Sequence, residues 1–209
     1  MMKVKEKVCK ICRRLGTKLL LKGEKCFSAK CVFLRKPYPP GFGLSKRRKM
    51  GLSDFGRILR EKQKFKNWYH LKERELKNLV KRVLREKENP SERLIQLLEL
   101  RLENIVFSSG FASSRKEARQ LISHRFFKVN GKIVNFPSFL LKVGDVVSLN
   151  EKKLTKKNIE RIKKRLEKVS LPDFLKKEDD FSLKLTRLPS MVERSLPVDL
   201  EYIFEFYSK

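Results

Sequence analysis

Residues 99–150 read ELRLENIVFSSGFASSRKEARQLISHRFFKVNGKIVNFPSFLLKVGDVVSLN, and they predict a self-contained α/β unit. Ser114-x-x-Glu117 is a capping box, which opens a helix that extends to about residue 124. Asn130-Gly131 is the sequence of a type I′ hairpin turn and lies between two short apolar runs. Strands are therefore expected at 127–129, 132–134 and 146–149. Together they indicate a short antiparallel sheet.

Apolar residues at helical spacing predict helices on both sides of this unit. The expected segments are 53–66 with Ser53 as the N-cap, 70–87, 91–106, and a lysine-rich helix at 151–169. The chain ends in a strongly apolar helix that contains Leu200, Ile203, Phe204, Phe206 and Tyr207. Such a helix must dock on something, and the helices before residue 90 are the expected site. Residues 99–150 would then be an insertion within a helical domain.

All four cysteines fall in the first part of the chain, as Cys9-x2-Cys12-x13-Cys26-x4-Cys31. Each pair can chelate from one turn, and the intervening loop lets the two pairs converge on a tetrahedron. This spacing favours a single structural Zn²⁺ ion, which replaces the core that so short a segment lacks. The alternatives are two disulfides, an iron–sulfur cluster or unoccupied thiols. Four thiolate ligands argue against a catalytic metal, which keeps an open position.

The net charge of +28 points to a polyanionic partner. Residues 1–50 carry 16 basic and 2 acidic side chains, so about half of the excess lies beside the cysteines. No run approaches the roughly 18 apolar residues that a membrane span needs, and the start of the chain lacks the apolar stretch of a signal peptide. We therefore expect no membrane association and a cytoplasmic location.

Nucleic-acid contacts are expected from basic, amide and aromatic side chains along three segments. The run Lys46-Arg47-Arg48-Lys49 either grips phosphates or is a solvated surface, and Tyr38 and Phe42 either stack on bases or pack. Arg115 and Arg119 lie one helical turn apart and form a double cation, with His124 as a third member or a capping residue. The expected contacts are Lys10, Arg13, Arg14, Lys18, Lys22, Arg35, Tyr38, Lys46, Arg47, Arg48, Lys49, Arg57, Arg60, Lys62, Lys64, Lys66, Arg115, Lys116, Arg119, Gln120 and His124.

These motifs resemble the bacterial-type family of ribosomal protein S-four, small ribosomal subunit protein four, in its zinc-bearing four-cysteine branch. The resemblance covers nearly the whole chain in collinear order. It is carried by Cys9 to Cys31, Lys36-Pro-Tyr-Pro-Pro-Gly41, Ser53-Asp-Phe-Gly56, Arg101-Leu-Glu-Asn104, Arg115-Lys-Glu-Ala-Arg-Gln-Leu121, Val129-Asn-Gly131, Val143-Gly-Asp-Val146, Arg187-Leu-Pro189 and Glu205-Phe-Tyr-Ser208. One departure is Phe42-Gly43-Leu44, where the family usually has Gln-His-Gly.

The resemblance implies a structural constituent of the small ribosomal subunit that binds the 5′ domain of its 16S-type rRNA. It also implies a primary binder that nucleates assembly of the subunit body. Its neighbours would be other ribosomal proteins, especially small-subunit protein five. It would lie near the channel through which mRNA enters and would contribute to decoding accuracy. Some members of the family repress translation of their own messages.

The expected fold class is α+β, with three parts: a zinc module and basic extension (1–45), a mainly helical domain (46–97 with 170–209), and an inserted S-four-type RNA-binding domain with its following helix (98–169, core 99–150). An RNA-modifying enzyme is one rival, but the roughly 60 residues after the core leave no room for a catalytic domain. The chain has only two histidines, both in basic helical segments, which argues against a Cys-His or Ser-His-Asp catalytic site. We expect no enzyme and no small-molecule substrate. A zinc-finger DNA regulator is the other rival. It predicts a module that reads base edges in a major groove, whereas the basic charge of this chain covers every segment.

Overall fold

The computed structural model describes residues 8–41, 51–86, 88–153, 155–167, 169–190 and 196–208. The chain divides into two compact units, residues 1–85 with 196–209 and residues 86–195. Among the described residues, no helix combines the length and the apolar composition that crossing a bilayer requires.

The first unit is helical. Its elements are α1 (Val8–Leu15), α2 (Glu24–Phe27), α3 (Val32–Arg35), α4 (Asp54–Trp68), α5 (Glu73–Val83) and α10 (Glu201–Ser208). Ser53 is the N-cap of α4, where its side chain accepts a hydrogen bond from the Gly56 N–H at 3.2 Å. The terminal helix α10 packs on α4 and α5, which confirms the docking site expected from its apolar composition.

The second unit combines helices with an antiparallel sheet. Its helices are α6 (Pro90–Glu99), α7 (Leu102–Ser108), α8 (Arg115–Ser123) and α9 (Lys156–Leu166), and its strands are β1 (Phe127–Val129), β2 (Lys132–Ile133), β3 (Val146–Leu149), β4 (Leu175–Asp179) and β5 (Ser182–Leu185). The strand order is β2-β1-β3-β5-β4, and every pairing is antiparallel. The α+β class is therefore confirmed, with a larger sheet than the sequence indicated.

The core of the second unit lies between the sheet and helices α7, α8 and α9. Its buried side chains include Ile105, Phe111, Ile122, Phe127, Val147, Ile162, Phe174 and Leu183. Phe174 immediately precedes β4 and Leu183 lies on β5, so the β4–β5 hairpin contributes directly to this core. The hairpin pairs with β3 through Val147 and Leu183, and it belongs to the second unit for that reason.

The unit boundaries differ from those expected from the sequence. Residues 86–97 and the β4–β5 hairpin lie in the second unit, whereas the sequence assigned them to the helical domain. The single helix expected at 91–106 is also wrong, because α6 ends at Glu99 and α7 begins at Leu102. Between them, the Leu102 N–H donates to the Phe139 carbonyl at 2.8 Å, and the Leu141 N–H donates to the Leu100 carbonyl at 3.0 Å. Backbone pairing with the 137–141 segment therefore replaces helical bonds at the break.

Candidate nucleic-acid interface

The cysteine segment forms three short helices. Cys12 lies on α1, Cys26 on α2, and Cys31 is the N-cap of α3; these three are buried and Cys9 is half-buried. None of the four is joined in a disulfide. Burial raises the pKa of the Cys12 thiol, a backbone hydrogen bond with Leu19 opposes that rise, and the charges of the other three cysteines add to it. The four sulfur groups are therefore close enough to interact electrostatically.

The donor set suits a zinc ion, since thiolates are preferred ligands of structural zinc. The Lys22 N–H already donates to Cys26 Sγ at 3.4 Å, the kind of backbone contact that orients a thiolate ligand. However, among the residues that the structure describes, no three cysteine, histidine or acidic side chains converge closely enough to hold a metal ion. Four thiols in one small segment are the right kind of ligands for zinc. Binding of the ion would require the four sulfur atoms to move closer together.

The cysteine segment is packed against α4. Leu15 and Leu19 are buried in a small cluster with Cys12, and Trp68 of α4 packs against it. Arg60 Nε donates to the Leu15 carbonyl at 3.0 Å and so caps the end of α1. The next residue, Gly16, has a φ of +65°, and a Cβ there would lie 2.5 Å from Arg60 Nη2. Arg60 was expected to contact RNA, and the structure gives it a role in joining two helices.

Several expected contacts lie on the exposed side of this segment. Lys10, Arg14, Lys22 and Arg35 are exposed, and Lys18 is half-buried with its Nζ 5.6 Å from the centroid of the Phe27 ring. Arg13 lies 4.7 Å from the centroid of the Tyr38 ring, and its Nε donates to the Tyr38 carbonyl at 2.8 Å. Tyr38 is 45% exposed, so Arg13 covers part of it and leaves part accessible to a base. The expected contacts Lys46, Arg47, Arg48 and Lys49, together with Phe42, lie outside the described residues.

The basic residues of α4 are not one continuous surface for RNA. Lys62 is only 4% exposed, and its Nζ lies 2.6 Å from Glu73 Oε1 and 3.8 Å from the centroid of the Phe206 ring. Its prediction as an RNA contact is therefore wrong, because the ammonium is enclosed by a carboxylate and an aromatic face. Lys66 also pairs with Glu73, at 3.0 Å, and Lys64 pairs with Glu61.

Among the α4 candidates, Arg57 keeps an exposed side chain and a long 3.8 Å contact with Asp54, so it remains available to a phosphate. Of the α4 cations, Arg57 is therefore the most exposed and Lys62 is the least exposed.

Glu73 is the acceptor that organises these cations. Partial burial by itself would raise the pKa of its carboxyl, but hydrogen bonds from Lys62, Lys66 and Tyr207 and the charge of Lys66 outweigh it and hold the pKa at about 2. Burial raises the pKa of the Tyr207 hydroxyl, and its hydrogen bond to the Glu73 anion raises it further. The cluster of Lys62, Lys66, Glu73, Phe206 and Tyr207 therefore joins α4, α5 and α10 by charge as well as by packing.

In the second unit, Arg115 is a buried residue rather than an outward cation. It is 7% exposed, its Nε donates to Asn104 Oδ1 at 2.8 Å, and its guanidinium lies 4.5 Å from the centroid of the Phe107 ring. Asn104 in turn donates to Glu99 Oε2. The expectation that Arg115 and Arg119 form an exposed double cation is therefore wrong for Arg115, which connects α8 to α6 and α7.

Arg119 is held beside the start of α7 by a buried acid. Glu103 is 1% exposed; its Oε2 lies 3.2 Å from Arg119 Nε, and its Oε1 lies 2.8 Å from Arg101 Nη2. Arg101 is buried and Arg119 is half-buried. One carboxylate therefore fixes two guanidinium groups in position, and Arg119 is the more accessible of the two. Arg101 and Glu103 were not expected as site residues, although both occur in the Arg101-Leu-Glu-Asn104 motif.

The exposed face of α8 is formed by Lys116, Gln120 and His124. His124 is the C-cap residue, with its backbone N–H donating to the Gln120 carbonyl at 3.0 Å, so its ring lies at the end of the helix and in solvent. The Ser114 side chain accepts from the Glu117 N–H at 3.2 Å, which confirms the predicted N-cap. Arg119 adds a fixed cation to these three side chains. Basic, amide and imidazole groups on one side of a rigid helix suit phosphate and sugar contacts.

Two family descriptions match the chain, one after the other. "Ribosomal protein S4/S9 N-terminal domain" matches residues 3–99, and "S4 domain" matches residues 100–147, which include α7, α8 and the first three strands apart from the end of β3. The second match coincides with the segment that contains Glu103, Arg115 and Arg119.

Curated relatives are similar over almost their entire length. A protein of Caldicellulosiruptor bescii named "Small ribosomal subunit protein uS4" is 44% identical over 202 residues, which is 96% of each chain. Proteins of the same name from Thermoanaerobacter sp. (strain X514) and Thermotoga petrophila are 45% identical over 203 residues and 44% identical over 207 residues, covering 96% and 97% of each chain. The chain belongs to the bacterial-type ribosomal protein S4 family.

Proposed function

We propose that this protein is a structural, rRNA-binding constituent of the small ribosomal subunit. The observation that carries the proposal is the exposed face of α8, where Lys116, Gln120 and His124 lie next to Arg119 on the helix that the S4 domain match covers. The net charge of +28 supplies the sequence-independent attraction that RNA binding needs. The relatives are named as small-subunit proteins, which is consistent with a ribosomal location in the cytoplasm.

Binding would depend mainly on shape and on the phosphate backbone. A-form RNA hides its base edges in a deep major groove, so a rigid basic surface recognises duplex regions through phosphates and 2′-hydroxyls. Glu103 fixes Arg119 before RNA arrives, and less side-chain entropy is then lost on binding. The protein acts in this proposal by holding RNA rather than by chemistry, so it is not an enzyme.

The finer assignments rest on the family resemblance. The RNA would be the 5′ domain of the small-subunit rRNA, bound early in assembly so that later proteins can bind the folded RNA. Small-subunit protein five would be a neighbour, and mRNA would pass close by as it enters the subunit, which links the protein to decoding accuracy. By the same resemblance, the RNA-binding surface would also repress translation of the protein's own message.

We also propose that Cys9, Cys12, Cys26 and Cys31 bind a structural zinc ion. Their spacing, the burial of three of them, and the effect of the other three cysteines on the pKa of Cys12 support this assignment. When bound, zinc would supply cross-links between α1, α2 and α3 in a segment whose apolar cluster is small. The exposed cations Lys10, Arg14, Lys22 and Arg35 would then be held on a fixed scaffold.

Co-sedimentation tests the ribosomal proposal. The tagged full-length protein, expressed in a bacterial host, should migrate with the small subunit in a sucrose gradient and should remain there after a wash in high salt. The Lys116→Glu and Gln120→Glu double variant, which changes only exposed side chains of α8, should move towards the top of the gradient. Wild-type protein that stays unbound, or that migrates with the large subunit alone, would overturn the proposal.

A further inference from the structure

A patch of large apolar side chains is exposed along the segment that begins at the end of β2 and continues towards β3. Ile133, Phe136, Phe139, Leu140 and Val143 are 53%, 67%, 38%, 39% and 51% exposed. Scattered exposed apolar residues are ordinary, but a contiguous group in one short segment marks a surface that binds something. We call this group the 133–143 patch.

The backbone under this patch is held rigidly. The Phe139 N–H donates to the Phe136 carbonyl at 3.1 Å and closes a turn around Pro137. The Pro137 carbonyl accepts from the Glu103 N–H at 3.1 Å, and the Phe139 carbonyl accepts from the Leu102 N–H at 2.8 Å. The turn is therefore fastened at two points to the start of α7. Its two phenylalanine rings are presented on a fixed base, so little conformational entropy is lost when a partner binds them.

Phe136 offers an open ring face. In the part of the chain that the structure describes, no ring contact involves Phe136, and two-thirds of the side chain is exposed. Unpaired nucleic-acid bases stack on such faces whatever their identity, because every base has an aromatic surface.

The charge around the patch is positive. Residues 118–144 contain no Asp or Glu, and Lys132 and Lys142 are exposed at either side of the turn. Glu103, whose N–H binds Pro137, also holds Arg119 at 3.2 Å, so the turn and a fixed guanidinium share one anchoring residue. The nearest acid in sequence, Asp145, accepts hydrogen bonds from the Lys142 N–H and from Asn130 Nδ2, both at 2.8 Å. An apolar surface with a mainly cationic border favours a polyanion that also has flat apolar groups.

We propose that the 133–143 patch is a stacking platform for unpaired RNA nucleotides, with Phe136 and Phe139 contacting bases and Lys132, Lys142 and Arg119 contacting the adjoining phosphates. The proposal rests on the rRNA-binding function above and specifies a second kind of contact for it. Duplex RNA would contact the exposed face of α8, and single-stranded nucleotides that leave the duplex would stack on the patch. The exposed face of α8 and the 133–143 patch together would recognise a place where an RNA duplex ends and a single-stranded loop begins.

The first experiment measures affinity. The full-length protein is titrated with single-stranded U12 RNA and with a blunt RNA duplex at matched salt. Phe136→Leu keeps an apolar side chain and removes the aromatic face, so it should weaken U12 binding by about ten-fold and leave duplex binding unchanged. The salt slope should not change, because no phosphate contact is lost. Phe55→Leu is the matched control, since Phe55 is 64% exposed on α4 and should not affect either RNA.

The second experiment measures stacking directly. Phe136→Trp places an indole in the patch, with wild-type Trp68 fluorescence as the background. U12 should quench the new emission, whereas the duplex and a poly-glutamate peptide should not. Quenching by the peptide but not by U12 would show a protein partner and overturn the platform, as would unchanged U12 affinity in Phe136→Leu. If the wild-type protein does not bind small-subunit rRNA at all, the proposed rRNA-binding function is wrong. If the protein binds rRNA but Phe136→Leu leaves U12 affinity unchanged, only the stacking platform is wrong.

Discussion

The Tyr207 hydroxyl donates to the Glu73 carboxylate at 2.9 Å, which joins residues 134 positions apart in the chain. Glu73 simultaneously accepts from Lys62 and Lys66, and Lys62 lies against the Phe206 ring. The last helix is therefore fastened to α4 and α5 by a partly buried charge cluster. This cluster explains why a basic residue of α4 is unavailable to RNA.

Removing the hydroxyl should loosen this attachment. Tyr207→Phe keeps the ring and deletes one hydrogen bond to a charged acceptor, so it should lower the free energy of unfolding by about 1–2 kcal/mol. Urea denaturation of the full chain at pH 7 measures the change. Tyr202→Phe on the same helix is the control, since Tyr202 is 37% exposed, and it should shift stability by less than about 0.5 kcal/mol. Equal effects of both variants would contradict the assignment.

The same cluster makes stability depend on pH. The pKa of Glu73 is about 2 when folded and near 4.5 ordinarily, so its contribution is complete above pH 4.5 and is lost as the pH falls towards 2. The difference in unfolding free energy between wild type and Glu73→Gln should therefore shrink across that interval, because a protonated Glu73 resembles the amide. Denaturant titrations at several pH values test this. A difference that stays constant from pH 5 to pH 2 would refute it.

Arg115 and Lys116 are neighbours on α8, but their substitution should affect different properties: stability for Arg115 and RNA binding for Lys116. Arg115→Ala removes a buried donor to Asn104 and should cost about 1–3 kcal/mol of stability. Lys116→Ala changes an exposed side chain and should alter stability by less than about 0.5 kcal/mol, while it reduces the salt slope of rRNA binding by about one. Thermal denaturation and salt-dependent binding of the two variants separate the roles. A stable Arg115→Ala protein with a reduced slope would place Arg115 at the RNA instead.

Loss of the cysteines should affect only part of the first unit. Cys9→Ser with Cys12→Ser should abolish zinc binding and speed amide exchange across residues 8–35, because metal ligation and folding are coupled there. Amides in α5 should retain their protection, since Leu76, Val80 and Val83 are fully buried without help from the cysteines. Elemental analysis and hydrogen exchange measure both effects. Global unfolding, or a metal-free wild type with protected amides at 8–35, would contradict the proposal.

Elements with strong local signals were predicted well from sequence. Ser53 and Ser114 are N-caps as expected, and the Asn130-Gly131 turn joins β1 and β2. Each of these features depends on residues close together in the chain, so the sequence pattern contains the cause. The apolar composition of α10 also sufficed to predict its docking on the helices before residue 90.

The misses have non-local causes. The apolar stripe from Leu94 to Val106 is continuous in sequence, and only pairing with residues 137–141 interrupts the helix. β4 has the burial pattern of an edge strand with only Leu175 buried, so Lys176 to Asp179 give no alternating signal. Helical position alone also cannot show that Arg115 faces Asn104 of another helix. Contacts between distant segments decided each case.

The decisive test of rRNA recognition is the affinity of the full chain for the 5′ domain of small-subunit rRNA, compared with duplex DNA of the same length at the same salt concentration. Both ligands offer phosphates, so charge alone would give similar binding, and only a surface matched to folded RNA separates them. We expect the rRNA domain to bind tighter than the duplex DNA by at least about ten-fold. Equal or tighter binding to duplex DNA would contradict it.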